Sequence, residues 1–234
     1  MKTQTSIAIL GAGESGVGAA LLGNKLGYRV WVSDGGKISE ERKAELKTNN
    51  LPFEEGGHTK ETFFDADVIV KSPGIPGTAP IVEALRSEGK KLVSEIEFAF
   101  ASKPGLEVIA ITGSNGKTTT TALIHHLLVA GGLNAGLGGN IGKSFARLLS
   151  EGEMPAYVIE VSSFQRRCGH FSPACSGHYQ HHSRSRPVAT YTAWSNMLLP
   201  NFASLPSGGC RQVCLQHGRP CDHGRNVEAP GEWP

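Results

Sequence analysis

Ile109-Ala110-Ile111-Thr112-Gly113-Ser114-Asn115-Gly116-Lys117-Thr118-Thr119-Thr120 is the stretch on which the reading of this chain turns. An apolar, β-branched run breaks at a glycine-rich turn. A lysine and a block of threonines then open a helix-compatible segment that runs to Ala130 and stops at Gly131-Gly132. Buried strand, tight turn and helix N-terminus, in that order, make a phosphate cradle. Backbone N–H groups of the turn can face triphosphate oxygens, the Lys117 ammonium can reach the β- and γ-phosphates, and the Thr118 hydroxyl can ligate Mg²⁺. Ile111 occupies the first glycine position of the longer G-x-x-x-x-G-K-[ST] pattern, so only G-x-x-G-K-T-T is present. The strand–turn–helix setting nevertheless favours a triphosphate site, with ATP as its expected occupant, over a structural turn beside a surface lysine.

A second glycine turn lies upstream. The apolar strand Ser6 to Leu10 leads into Gly11-Ala12-Gly13-Glu14-Ser15-Gly16, and a helix carrying Val17, Ala20, Leu21 and Leu22 stops at Gly27. Tyr28 to Val32 reads as the next strand and ends at Ser33-Asp34, which places an acid 18 positions after the last glycine of G-x-G-x-x-G. This is the layout of a βαβ unit that binds a nucleotide, although tight strand–helix packing alone would also use such glycines. Farther on come a polar helix from about Ser39 to Asn49, a strand from Asp67 to Lys71 entering Ser72-Pro73-Gly74-Ile75-Pro76, a helix over Ile81 to Ser87 and a strand at Lys91 to Val93. Loops such as Ser72 to Pro76 sit at the carboxyl edge of parallel sheets, where ligands bind. Ala101-Ser102-Lys103-Pro104-Gly105 reads as a linker, with a domain boundary near residue 103.

Downstream of the phosphate turn, Gly138-Gly139-Asn140-Ile141-Gly142 is a loop in which Asn140 can offer its amide to a ligand. Tyr157 to Gln165 is a strand with a single acid, Glu160, in an apolar run. A carboxylate there must be paired or bind a cation, because an isolated buried charge is costly. Beside the phosphate turn, Glu160 is a candidate Mg²⁺ ligand; the alternative is a strand-end acid paired with a lysine. His125 and His126 fall within a helix and read as packing or surface residues.

Composition bounds the rest. The chain has 234 residues, 39% hydrophobic and 19% charged, with a net charge of +2, which gives no argument for nucleic acid or a membrane surface as partner. No apolar run is long enough to span a bilayer and no signal-peptide layout opens the chain, so a cytoplasmic location is expected; a monomer acting on small molecules is expected beside it. The average conceals two compositions. Residues 1–165 hold 16 Lys+Arg, 18 Asp+Glu, twelve Ile and no Cys, whereas residues 166–234 hold seven Arg, three acids, all five Cys, six of the nine His, and neither Lys nor Ile. A packed α/β core needs Ile/Val/Leu-rich strands, and the last 69 residues show no helix or strand period of useful length.

In order along the chain, Gly11 to Gly18, Val32-Ser33-Asp34, Ser72 to Pro76, Ser94-Glu95-Ile96-Glu97, Ile109 to Thr121, Gly139 to Gly142 and Glu160-Val161-Ser162-Ser163-Phe164-Gln165 resemble the Mur ligases over residues 1–165. The Ser-Pro-Gly-Ile-Pro loop and the Glu-x-Ser-Ser-Phe-Gln strand point, within that family, to the D-glutamate-adding type. The resemblance implies an α/β architecture: a Rossmann-like parallel-sheet domain for a UDP-linked acceptor over 1–102, then a truncated P-loop-type ATPase domain over 103–165. An irregular or disordered tail is expected over 166–234. It implies an ATP-dependent amide ligase of peptidoglycan precursor synthesis, whose substrates are ATP, UDP-N-acetylmuramoyl-L-alanine and D-glutamate and which works through an acyl-phosphate. By position, Gly113, Ser114, Asn115, Gly116, Lys117, Thr118 and Thr119 would hold ATP, with Lys117 and Glu160 catalytic and Thr118 and Glu160 serving Mg²⁺. Glu14, Ser15 and Asp34 would line the uridine site, Gly74 would lie near the uracil, and Asn140 would reach the acceptor.

After Gln165 the family pattern stops: Arg166-Arg167-Cys168-Gly169-His170 stands in place of the expected turn, and no Asn-x-x-x-Asp-His follows. The genetic code supplies a reason. Degenerate codons for Ala174 to Ser185, read one nucleotide later, permit H-V-A-V-I-T-N-I-T-P-D-H, which contains that motif, and the same shift from Arg166 permits D-G-V-V. A frameshift just after Gln165 also explains the abrupt loss of Lys and Ile, since out-of-frame codons are not selected for burial. Two rival readings remain at this level. An NAD-dependent oxidoreductase would explain Gly11 to Asp34 but leave the Lys117 turn idle. A non-enzymatic nucleotide-binding module with zinc on Cys210, Cys214, His217 and Cys221 would explain both turns but neither Ser72 to Pro76 nor Glu160 to Gln165.

Overall fold

The computed structural model describes residues 4–103, 105–112, 115–162, 190–194, 215–216 and 219–220. Ser6–Leu10 (β1) is buried at every position, which suits a strand flanked on both sides and covered on both faces. Around it Arg29–Asp34 (β2), Phe53–Glu55 (β3), Val68–Lys71 (β4) and Leu92–Ser94 (β5) form an all-parallel sheet in the order β3-β2-β1-β4-β5. The crossovers are Glu14–Lys25 (α1), Glu40–Thr48 (α2), Lys60–Phe64 (α3) and Pro80–Ser87 (α4). Strand order reverses at β1, so the crevice beyond the carboxyl ends of β1, β2 and β4 is where a ligand fits.

Sequence periodicity misses the helix Glu95–Ser102 (α5) because Glu95-Ile96-Glu97-Phe98 alternates like a strand. Capping chemistry overrides that pattern: the Ser94 hydroxyl accepts the Glu97 N–H while the Glu97 carboxylate accepts the Ser94 N–H. Ala101 and Ser102, expected in a linker, therefore end this helix. The short elements β3 and α3 also escape the sequence reading, being only a few residues long.

A second sheet runs β7-β8-β6-β9, formed by Ala135–Gly139 (β7), Ala156–Glu160 (β8), Val108–Thr112 (β6) and Thr190–Trp194 (β9), with Lys117–Ala130 (α6) and Phe145–Glu151 (α7) as its helices. β6, β7 and β8 are parallel, and β9 lies antiparallel along β6. The strand at 190–194 is the one five-residue element among the described residues of the tail that is expected to be irregular. Its Thr-Tyr-Thr-Ala-Trp sequence is rich in β-branched and aromatic residues, which favour the pleat wherever an open edge is offered. Leu215–Gln216 (β10) and Arg219–Pro220 (β11) form a two-residue ladder. Gln165 and the Cys/His run from Cys210 to Cys221 lie, apart from those two short strands, outside the described residues.

The two sheets meet through α1, α5 and α7, whose apolar faces share one core. Phe145 is fully buried, with ring centroids 5.0 Å from Phe100 on α5 and 5.4 Å from Tyr157 on β8. These aromatic pairs tie the first sheet's last helix to the second sheet.

Candidate active site

The first candidate site is built on the turn after β1. Gly16 must lack a side chain, because a Cβ there would lie 1.8 Å from the Gly11 carbonyl oxygen as α1 closes over the turn. Asp34, at the end of β2, shapes the same turn. Its Oδ2 accepts the Ala12 N–H at 2.7 Å and its Oδ1 accepts the Gly36 N–H at 2.8 Å. The Ser72 hydroxyl donates to the Gly11 carbonyl at 3.2 Å from the other side. Beyond these lies a cavity of about 490 Å³ walled by Asp34, Gly35, Gly36, His58, Lys60 and Ile75 and by the first turn of α4. Its size suits a nucleotide.

Gly74 is exposed one residue before Ile75, with open space around it. Ser15 sits half-buried in the first turn of α1. Glu14, expected at the uridine, is engaged elsewhere: its Oε1 accepts the Arg147 Nε–H at 2.7 Å and the Ser144 N–H at 3.0 Å. Burial works against its charge, but the Arg147 hydrogen bond, the Ser144 N–H and the Arg147 charge together outweigh it and hold the carboxyl below the ordinary carboxylate value. The side chain points into the junction with α7 because Arg147 offers it a guanidinium fork, which a sequence-local reading of the G-x-G-x-x-G turn does not contain.

A residue missed from sequence holds the Ser72 to Pro76 loop. Lys71 ends β4 at 5% exposure and donates from Nζ to the Ser72 carbonyl at 3.0 Å and the Ile75 carbonyl at 2.8 Å. A lysine closing the apolar run Val68-Ile69-Val70 was the available signal, since a buried ammonium has to collect acceptors.

The second candidate site lies at the carboxyl ends of β6 and β8. Gly116 takes the left-handed conformation, φ 72°, that turns the chain into α6, and Lys117 is the first helical residue. Asn115, Gly116, Thr118 and Thr119 are exposed around this turn, whereas Gly113 and Ser114 lie outside the described residues. The Thr121 hydroxyl fixes the first turn by donating to the Lys117 carbonyl at 2.8 Å. Glu160, 2% exposed at the end of β8, gathers the other predicted residues. Its Oε2 accepts the Thr118 hydroxyl at 2.8 Å, its Oε1 accepts the Asn140 side-chain amide at 3.0 Å, and its carbonyl accepts the Asn140 N–H at 2.8 Å. Thr118, Asn140 and Glu160, predicted separately from positions 118, 140 and 160, thus converge on one carboxylate. Both hydrogen-bond donors to that carboxylate are neutral, and no salt bridge among the described residues reaches it. Buried negative charge beside a hydroxyl, with hard oxygen donors only, is chemistry that fits Mg²⁺. No group of three or more His, Cys, Asp or Glu suited to a metal occurs among the described residues.

The sites are linked by α7. Glu95, 1% exposed at the start of α5, accepts the Ala146 N–H at 2.5 Å. Burial pushes its carboxyl up to about 7; the Ala146 N–H opposes this, the charge of Glu14 adds to it, and the Phe145 N–H opposes it. Arg147 spans from Glu14 to Glu45 of α2, bonding the latter through Nη1 and, at 3.1 Å, Nη2.

Comparison with known proteins agrees with this layout. Residues 6–81 match the MurD N-terminal domain and residues 111–175 the Mur ligase middle domain. The chain belongs to the Mur ligase family. Within it, the similar proteins are UDP-N-acetylmuramoylalanine–D-glutamate ligases: that of Christiangramia forsetii is 52% identical over 161 residues, covering 68% of this chain and 36% of that one. The ligase of Cytophaga hutchinsonii is 54% identical over 160 residues, again 68% of this chain and 36% of the relative. The chain therefore spans about a third of the length of these relatives. A solved UDP-N-acetylmuramate:L-alanyl-gamma-D-glutamyl-meso-diaminopimelate ligase from Neisseria meningitides has TM-score 0.48 at 24% identity over 68% of this chain and 52% of that one.

Proposed function

We propose that this chain carries the acceptor site and part of the ATP site of an ATP-dependent carboxylate–amine ligase, the type that joins D-glutamate to UDP-N-acetylmuramoyl-L-alanine. The observation that carries the reading is the buried Glu160 carboxylate, held among the described residues by Thr118 and Asn140, at the strand edge beside the Lys117 turn. In this reading residues 1–102 and 103–165 are separate domains: the UDP moiety occupies the cavity at Asp34, and the triphosphate lies along Gly113 to Thr119.

Thr118 and Glu160 would hold Mg²⁺, which when bound offsets negative charge on the phosphoryl group being transferred. Lys117 supplies a cation for the same charge, and the backbone N–H groups around Gly116 add fixed dipoles that need no reorganisation. Asn140, tied to Glu160, orients the acceptor at the shared edge. The acceptor carboxylate attacks the γ-phosphorus and ADP leaves. The amine of D-glutamate then attacks the acyl-phosphate carbonyl, loses a proton and expels phosphate. We place the protein in the cytoplasm as a monomer; among the described residues no helix is long and apolar enough to cross a membrane.

The stretch after Gln165 lacks Asn-x-x-x-Asp-His, so the 234-residue chain is expected to bind nucleotides without completing ligation. The test is titration of the chain with a fluorescent ATP analogue, with and without Mg²⁺. Lys117→Met should weaken retention in either condition, and Glu160→Gln should abolish the Mg²⁺-dependent gain. Retention unchanged in Lys117→Met would remove the ATP assignment.

A further inference from the structure

The polar groups facing the Asp34 cavity are unequal in what they still have to offer. Both oxygens of Asp34 already hold backbone N–H groups of the turn. His58, in the loop between β3 and α3, is held on three sides instead: Nδ1 lies 2.7 Å from the Ser33 hydroxyl, the ring meets Phe63 edge-on at 6.0 Å, and Nε2 rests against Gly35, 3.0 Å from where a Cβ would stand. No hydrogen bond to Nε2 exists among the described residues.

The surroundings of Ser33 favour one tautomer of the neutral ring. The Ser33 hydroxyl donates to the Gly57 carbonyl at 3.2 Å. A hydroxyl has one proton, and that carbonyl takes it. Its lone pair is then satisfied by the one neighbour able to donate, Nδ1–H of His58. With the proton on Nδ1, Nε2 presents an unshared pair to the cavity. Ile75, Ala79, Pro80 and Ile81 line the same cavity beside Gly35 and Gly36, apolar surface of the kind that receives the face of a flat base. A base edge that reaches Nε2 then has to give it a proton.

We propose that His58 is a base-specificity residue that accepts the imide N–H of a uracil-type pyrimidine through Nε2. Cytosine carries an acceptor at that ring position and would set lone pair against lone pair. A site built to pair with a donor rejects an analogue that lacks it far more strongly than it rejects one differing only in bulk. This rests on the reading of the cavity as the UDP site.

The experiment is calorimetric titration of the 234-residue chain with UDP, CDP and N3-methyl-UDP. UDP should bind about tenfold or more tighter than either analogue, the loss expected when one buried hydrogen bond goes unmade. His58→Phe, which keeps the ring against Phe63, should erase most of that preference, and His58→Gln, which returns an acceptor near Nε2, should recover part of it. N3-methyl-UDP and CDP bound as well as UDP by the unaltered chain would overturn the inference without any variant having to fold. An equal loss for UDP and CDP in His58→Phe would also overturn it, because the ring would then contact something other than the base. In both cases UDP binding itself would leave the reading of the cavity standing. A folded chain that binds no UDP would sink both.

Discussion

Protonation of Glu95 should govern stability between about pH 4.5 and 7, and Glu95→Gln isolates the effect. The carboxyl is 1% exposed and rises from an ordinary 4.5 to about 7 in the folded chain, so the folded state holds its proton more tightly than the unfolded one. Below pH 4.5 both states are protonated and the group is neutral in its effect. As pH climbs towards 7 the unfolded chain releases its proton first, so stability falls, and above 7 a constant deficit remains. At about 1.4 kcal/mol per pH unit, the rise from 4.5 to about 7 is a deficit of about 3 kcal/mol. Glutamine keeps a carbonyl to accept the Ala146 N–H but carries no charge. Glu95→Gln should therefore be stabilised at pH 8 by up to about 3 kcal/mol, several degrees in melting temperature for a domain of this size. At pH 4.5 it should match the parent. Glu14, Glu54 and Asp67, whose carboxyls are held below their ordinary values, add stability that is lost only as pH falls beneath that window. The difference between variant and parent cancels their contribution. The assay is thermal unfolding by circular dichroism at half-unit steps from pH 4.5 to 8.5. A difference flat with pH, or a variant less stable than its parent at pH 8, would refute the argument that Glu95 is buried against its charge.

Arg147→Met should cost about 1–2 kcal/mol in urea unfolding, reduced from the value for a fully buried pair because the Glu14 and Glu45 side chains keep 36% and 30% of their exposure. In the same variant the Glu14 carboxyl, followed by NMR titration, should move upward as its guanidinium partner is lost. Lys71→Met should leave the Ser72 and Ile75 carbonyls without their ammonium donor. Amide exchange should then quicken over residues 72–76 and UDP should bind more weakly, while the β1 amides keep their protection. Asp34→Ala should release the Ala12 and Gly36 N–H groups together and weaken UDP binding about tenfold or more, read by the same calorimetry.

Local pattern carried much of this fold. The apolar runs at Ser6 to Leu10, Val68 to Val70 and Ile109 to Thr112 are buried parallel strands, and Gly27 and Gly131-Gly132 do end helices. Glu160 is legible for a related reason: an acid in an otherwise apolar strand has few physical options, and its partners Thr118 and Asn140 both lie beside glycine-containing turns. What sequence could not show depends on distant segments meeting. Glu14 reads as a ligand-facing acid until Arg147, 133 positions away, arrives beside it. Glu95 alternates with apolar neighbours as a surface strand residue would, and becomes a buried acid only when α7 packs over α5. His58 sits in an unremarkable Gly-Gly-His-Thr loop, and its role emerges from Ser33 on one side and Gly35 on the other.

These long-range contacts converge on one short element. α7 follows directly on the loop that carries Asn140, and its first turn receives Glu14 from the turn of one candidate site and Glu95 from the start of α5. Ser144 caps the helix by accepting the Arg147 N–H, so the residue that fixes the start of α7 also donates its own N–H to Glu14. A displacement of the Gly11 to Gly16 turn when the cavity fills would pull on Glu14, and hence on the segment ending the Asn140 loop. Asn140 in turn holds Glu160. The path is hydrogen bonds joined by the short backbone stretch from Asn140 to Ser144, a physically connected route of the kind by which one site can bias another, and its strength is a coupling free energy that must be reciprocal. If the path is used, UDP should tighten Mg²⁺-dependent ATP retention and ATP should tighten UDP by the same factor, and Arg147→Met should bring both factors towards one. Equal factors that survive the loss of Arg147 would place the coupling elsewhere, and unequal factors would mean that the two measurements do not report one equilibrium.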